Sequence, residues 1–255
     1  MQKHEYIYVY FSNYMSFTHE RFFSLQDQNI QEPEQRSPEW FERRKGKLSG
    51  SKFSQLLFCK TDDDRIRIYE EIFCGRKKEP FPEIAKKYML WGQENEDTAL
   101  LSLLNNMPNL IAMEAPMVQH TDVVYLAASP DGFYEDIETG EKGIIEIKCP
   151  GKTKLANSKP TYYYVPQMYM EMACSGRRIA IFCSWGTDTC RAWKLHWNDN
   201  MWLALCHLID VFKRTKIDAT YENFVDAQYE LKKQCHICVE EALPLSPDVG
   251  WLTAQ

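Results

Sequence analysis

Glu146 and Lys148 stand two residues apart in the run Ile144-Ile-Glu-Ile-Lys-Cys149, and Asp131 closes an earlier β-type run, Val123 to Ala128, at Ser129-Pro130-Asp131-Gly132. Alternate side chains on a strand share a face, so Glu146 and Lys148 point one way while Ile145, Ile147 and Cys149 point the other. Glu138-Thr-Gly-Glu-Lys-Gly143 reads as a hairpin turn that returns the chain and lays Asp131 beside Glu146. Charged residues beside a buried apolar face need a partner or a task. Two carboxylates and a strand carbonyl form an all-oxygen nest suited to Mg²⁺, with Mn²⁺ a natural substitute. A cation there lowers the pKa of a water and offsets charge on a phosphorane-like transition state. Lys148 would orient or deprotonate that water. A surface hairpin with an ordinary ion pair carries the same bare pattern. What favours chemistry is the apolar frame Ile144-Ile145, Ile147 and Cys149-Pro150-Gly151.

A second set of residues suits anions. Arg36, Arg43, Arg44, Lys45, Lys47 and Lys52 crowd one short segment against only Glu39 and Glu42, and Lys148, Lys152, Lys154 and Lys159 form another cluster. Either cluster alone also fits a solvated basic face. Within the first, Arg44 can hold a phosphate with both arms of its guanidinium. Ser49 and Ser51 bring hydroxyls to an expected helix N-terminus, a natural anion site. Trp40, one helical turn before Arg44, is spaced to pack under or beside it.

These residues need elements to position them. Ser37-Pro38-Glu39 starts a helix that Gly46 ends, and Ser49-Gly-Ser51 offers a cap for a second helix over Lys52 to Phe58. Residues 60–82 read as loop with a short helical piece over Ile66 to Ile72. A long helix follows from Pro82 to Asn105, then the hairpin, then a helix from Tyr162 to Ser175 closed by Gly176. Arg178 to Trp185 and Thr189 to Trp197 are antiparallel strands around Gly186, and Asn198 to Lys213 and Tyr221 to Glu241 are helices. The order predicts a mixed α/β (α+β) fold with a central sheet flanked by helices. The expected boundaries are an arm or added strand over 1–35, a catalytic domain over 36–215 and a C-terminal helical extension over 216–255.

Bulk composition narrows the classes. The 255 residues are 44% apolar and 26% charged, enough to bury a core without staples. No apolar run reaches membrane-spanning length, and Met1 to Tyr14 carries no signal-peptide pattern. Nine cysteines scattered through apolar segments suit reduced thiols in cytoplasm or nucleus, including that of an infected cell. Cys235-His-Ile-Cys238 has no second ligand pair nearby, so no stoichiometric zinc is expected there. A net charge of −6 argues against a protein that coats nucleic acid with its whole surface, and is compatible with basic patches around an acidic centre.

From Ser37 to Trp193 four ordered blocks resemble the lambda-exonuclease-like, YqaJ-type viral recombinase nucleases of the PD-(D/E)xK superfamily. They are Trp40-Phe-Glu-Arg-Arg44-Lys-Gly46-Lys-Leu-Ser49-Gly-Ser51; Trp91-Gly92-Gln-Glu-Asn-Glu96; Ser129-Pro130-Asp131-Gly132 with Ile145-Glu146-Ile147-Lys148-Cys149-Pro150; and Tyr164-Val-Pro-Gln167-Met-Tyr169. The resemblance implies a restriction-endonuclease-like sheet. It implies metal ligands Asp131, Glu146 and Glu96 (with Glu94 the competing register), Lys148 serving the water, and Gln167 beside the site. It also implies a 5′-phosphate pocket of Arg44, Ser49, Ser51, Ser129 and Trp40. Tyr169 replaces the family's second glutamine, and Gly50 stands where many relatives carry Ala, a change expected to matter little. The implied activity is 5′→3′ digestion of double-stranded DNA from phosphorylated ends, with a single-strand annealing protein as partner. Monomers and ring trimers both occur in the family. An endonuclease, an RNA-degrading nuclease and a catalytically silent DNA-end binding module remain alternatives.

Overall fold

The computed structural model describes residues 35–151 and 155–253. The expected arm, apart from Gln35, and the lysines Lys152 and Lys154 lie outside the described residues. Helices α1 (Pro38–Arg44), α2 (Phe53–Phe58), α3 (Asp62–Phe73) and α4 (Glu83–Asn106) precede the main strands. The strands are β1 (Leu48–Ser49), β2 (Leu110–Met113), β3 (Val118–Gln119), β4 (Leu126–Ala128), β5 (Gly132–Asp136) and β6 (Lys142–Lys148). Helix α5 (Val165–Ser175) leads to β7 (Ile179–Trp185) and β8 (Thr189–His196). Helices α6 (Asp199–Lys213) and α7 (Tyr221–Glu241) and strands β9 (Leu243–Pro244) and β10 (Trp251–Leu252) complete the order.

The main sheet runs β10-β8-β7-β6-β5-β2, with β9 on β8, and β1-β4-β3 form a smaller sheet. In the main sheet only β6 and β7 pair in parallel. Parallel neighbours need a crossover, and α5 is that crossover, packed on one face of β6. Ile144 and Phe182 face the core under α5, α6 and α7, whereas Ile145, Ile147, Ile181 and Cys183 face a second core beneath α4. Both faces of β6 are therefore covered, which accounts for its near-continuous apolar run. Glu146 lies on the α5 side with no exposed surface.

Several local readings differ from those of the sequence. Thr61 caps α3 through the Asp64 amide, and three aspartates fill the first turn, so the helix begins earlier than Ile66 and is 12 residues long. The run from Val123 pairs only over Leu126–Ala128, because His120 Nδ1 accepts the Asp122 and Val123 amides at 3.2 and 3.3 Å and turns the chain there. Ser49 and Ser51 do not cap α2: residues Gly50–Lys52 form a 3₁₀ turn, and the six-residue helix starts at Phe53. Cys235 and Cys238 are buried in the main core, their sulfurs 4.0 Å from Met201 Sδ and 3.5 Å from the Tyr169 hydroxyl. All nine cysteines are free. Among the described residues no helix is long and apolar enough to cross a membrane.

The hairpin that carries the acids depends on one close approach. Tyr134 pairs across from Gly143, and a Cβ on that glycine would lie 2.5 Å from Tyr134 Cε1 and 2.6 Å from the Ile179 carbonyl oxygen. Backbone cannot yield as a side-chain tip does. Gly143→Ala should therefore destabilise the fold by about 1–3 kcal/mol or more, read as a lower urea midpoint. An unchanged midpoint would contradict this packing.

Candidate active site

The hairpin and the crossover helix bring four of the expected residues together. Asp131 Oδ2 accepts the Ile147 amide at 2.6 Å, which locks the aspartate against the strand that bears Glu146. Glu146 Oε1 pairs with Lys148 Nζ and accepts Gln167 Nε2 at 2.5 Å. Gln167 sits in the first turns of α5, directly over β6, so its amide reaches the strand residue beneath. The same amide donates to Glu171 Oε1 at 2.9 Å, one helical turn on.

Glu171 is a member of this group that the sequence reading missed. It is 1% exposed, in a helix whose neighbours Met168, Tyr169, Met170 and Met172 are wholly buried. A lone acid four residues after Gln167 on an otherwise apolar helix was the available signal. Tyr164, which opens the last of the four sequence blocks, places its ring 5.0 Å from Lys148 Nζ. Tyr169, by contrast, points into the core, where its hydroxyl donates to the His196 carbonyl at 3.1 Å.

The acids perturb one another. Burial, then the charges of Glu146 and Glu96, push the Asp131 carboxyl well above the usual range, against Lys148 and the Ile147 amide. Burial, then Glu146 and Asp131, do the same to Glu171. Burial opposes the Lys148 charge, but Glu146 and Asp131 outweigh it and hold the ammonium above the usual lysine range. Lys148 is thus held as a cation beside these acids. Glu96 faces the group from α4 with its carboxylate held by Arg36 at 2.6 Å, while Glu94 is exposed. Of the two, Glu96 is the one whose charge acts on Asp131.

Among the described residues no three acidic, histidine or cysteine side chains converge as a ready metal cluster. The donor set nevertheless fits a hard cation. Glu146 Oε2 and Glu171 Oε2 are buried without hydrogen-bond partners, and the charges of Glu146 and Asp131 both act on Glu171. A divalent ion would satisfy those oxygens and relieve the repulsion between the acids.

The anion-binding residues also converge. The Arg44 guanidinium lies 4.1 Å over the Trp40 ring and donates to Ser129 Oγ at 3.0 Å and Ser51 Oγ at 3.3 Å. Trp40 Nε1 donates to the same Ser129 hydroxyl at 3.3 Å, and Ser49 and Ser51 hydroxyls lie 3.3 Å apart. Parallel pairing of β1 with β4, Ser49 opposite Ala127, brings these distant segments together. Burial lowers the Arg44 pKa to about 10, with Glu171 pulling the other way, so the guanidinium is charged at neutral pH. A Cβ on Gly50 would sit 3.1 Å from Gln167 Cγ. That position is tighter than the sequence suggested, and an alanine there would press on Gln167.

Residues 39–178 match the family model described as YqaJ-like viral recombinase domain. The fold is similar to the crystal structure of an alkaline exonuclease, LHK-Exo, from Laribacter hongkongensis. That match has 23% identity and a TM-score of 0.56, and covers 79% of this chain and 100% of that one. A second structure, LHK-Exo in complex with dAMP, matches at 24% identity and TM-score 0.53 with the same coverage. No curated protein sequence matches the chain. The expected mixed sheet flanked by helices is thus shared with a solved structure.

The raised carboxyl pKa values carry a stability prediction. A carboxyl whose folded pKa exceeds its unfolded value binds more protons folded, so its contribution is full below the unfolded pKa and is lost as pH rises through the folded one. In chelator, Asp131→Asn should therefore gain thermal stability relative to wild type as pH rises from about 5 to about 8. A difference that stays constant across that window would count against the buried acid cluster.

Proposed function

The chain belongs to the YqaJ-like viral recombinase domain family, and on that premise we propose that it is a metal-dependent exonuclease digesting double-stranded DNA 5′→3′ from phosphorylated ends. The observation that carries this reading is the Arg44 clamp, stacked on Trp40 and pinned by Ser129 and Ser51, adjoining the buried acids around Glu146.

A terminal phosphate carries more charge than an internal diester and exposes more oxygens, so a planar guanidinium fork prefers it. The Ser49, Ser51 and Ser129 hydroxyls can turn to donate to the same phosphate. Asp131, Glu146 and Glu96 would hold Mg²⁺ or Mn²⁺, with Glu171 behind them. When bound, the metal supplies Lewis-acid stabilisation of the phosphoryl charge and a more acidic water. Lys148 positions that water and balances the carboxylates. Gln167, already bridging Glu146 and Glu171, fixes the Glu146 carboxylate and offers an amide to the water or phosphate. Digestion from the 5′ end leaves a 3′ single strand, so a single-strand annealing protein is the implied partner.

The deciding assay compares linear duplexes with 5′-phosphate and 5′-hydroxyl ends at equal salt, beside closed circles. Phosphorylated ends should be degraded faster, and EDTA should stop all degradation. Lys148→Ala should abolish cleavage while DNA-end binding persists. Full activity in excess EDTA, or near wild-type cutting by Lys148→Ala, would sink the mechanism. Arg44→Ala should erase most of the end preference, a loss of roughly 1.5–3 kcal/mol for a charged hydrogen bond. Equal rates on both ends, or efficient nicking of circles, would favour an endonuclease.

A further inference from the structure

The aromatic contact at Lys148 continues outward. Tyr163 packs on Tyr164 with ring centroids 4.5 Å apart, Phe58 meets Tyr163 at 5.4 Å and Tyr162 at 6.3 Å, and His236 stacks on Tyr162 at 4.4 Å. These rings form an unbroken row from Lys148 Nζ to the surface. Its outer members are open: Phe58 is 48% exposed, although Phe53, Leu56 and Leu57 on the same short helix are wholly buried, and His236 is exposed. Core packing accounts for the buried three and leaves the half-wet phenyl ring unexplained.

Cations flank the row. Lys60 is exposed two residues beyond Phe58. Gln228 Nε2 donates to the Leu56 and Cys59 carbonyls at 2.6 and 3.0 Å, fastening α7 to the end of α2. The next turn of α7 carries the half-buried Lys232 on that same side. Rings interleaved with cations are what holds an unpaired nucleic-acid strand, because bases stack on the rings while cations follow the phosphates.

Helix α5 gives the row a direction. Glu171, whose charge acts on Arg44, lies seven residues from Tyr164, about 10 Å along the helix axis. On the nuclease reading, a strand with its terminal phosphate at Arg44 and the next phosphates over Glu146 would leave the site past Tyr164. Resting on the nuclease reading above, we propose that Phe58, Tyr162, Tyr163 and His236, flanked by Lys60 and Lys232, are a stacking track. Its ligand is the unpaired stretch of the DNA strand being cut.

The test uses the full chain and a fluorescein-labelled oligothymidylate in EDTA at fixed salt, so that binding is read without turnover. Phe58→Ala should weaken binding about tenfold while the chain remains folded at the assay temperature, since the side chain is half exposed. Phe58→Trp should keep wild-type affinity, and its added indole emission should be quenched by the oligonucleotide. Equal affinity of wild type and Phe58→Ala, no binding by wild type, or an unquenched Phe58→Trp each overturn the track. The nuclease reading fails separately. A chain that degrades duplex yet binds oligothymidylate equally well as Phe58→Ala keeps its activity and loses the track. A chain that never cuts but shows the Phe58 dependence keeps the track and loses the activity.

Discussion

Parallel pairing of β6 with β7 obliges the chain to cross over one face of the sheet, and that face is the one bearing Glu146 and Lys148. The crossover segment must then present something to a carboxylate that has no exposed surface. An apolar helix alone would leave Glu146 buried against nothing, which costs several kcal/mol. Gln167 on α5 and Lys148 on the strand answer that requirement together, while Asp131 and Glu171 add charge that opposes it. Each also depends on the others, since the bonds that satisfy Glu146 are those that hold Gln167 and Lys148 in place.

Acids in such proximity work against the fold, and apolar packing offsets them. Met168, Tyr169, Met170 and Met172 on the same helix are wholly buried, each contributing on the order of 1.5–3 kcal/mol through burial. The helix needs that apolar neighbourhood to hold a partly unsatisfied acid in its interior. A site that stores repulsion in its resting form is suited to a divalent ion, because binding removes the strain and the ion stabilises the folded state in turn. The Arg44 clamp follows a different logic. Its donors are satisfied by hydroxyls that rotate freely, and the Trp40 ring supports the guanidinium plane, so little has to move when an anion enters.

The alternation Ile145, Glu146, Ile147, Lys148 is readable in the sequence because strand side chains have a period of two, and the hairpin turn places Asp131 beside them. Helical spacing alone groups Trp40 with Arg44, whereas Ser129 joins them only through the resemblance to a family. Nothing local tells that residues 40 and 129 meet, because β1 and β4 are too short for their pairing to show in the pattern. Ser49 and Ser51 looked like a helix cap, since the residue types match, but their hydroxyls serve each other and Arg44. Glu171 escaped notice because a single acid on a helix is ordinarily a solvated one. Its burial is a property of the crossover, which only the tertiary arrangement reveals. The turn that shortens the strand before Leu126 depends on a histidine nitrogen accepting two amides, a contact that no propensity encodes.

The two halves of the site differ in how far along the chain their contacts reach. Asp131 to Ile147 spans 16 residues and Gln167 to Glu146 spans 21, whereas Arg44 and Trp40 reach Ser129 across 85 and 89. Closing the longer loops costs more chain entropy, by about 1.3 kcal/mol between spans of 21 and 89 residues. Short-range contacts therefore tend to assemble sooner. In kinetic terms, the acids can gather around Glu146 while residues 38–51 are still undocked, and in local opening the clamp should be the first part to leave. On the nuclease function proposed above, a partly opened molecule would hold its carboxylates in order and lack the means to tell a strand end from a strand interior.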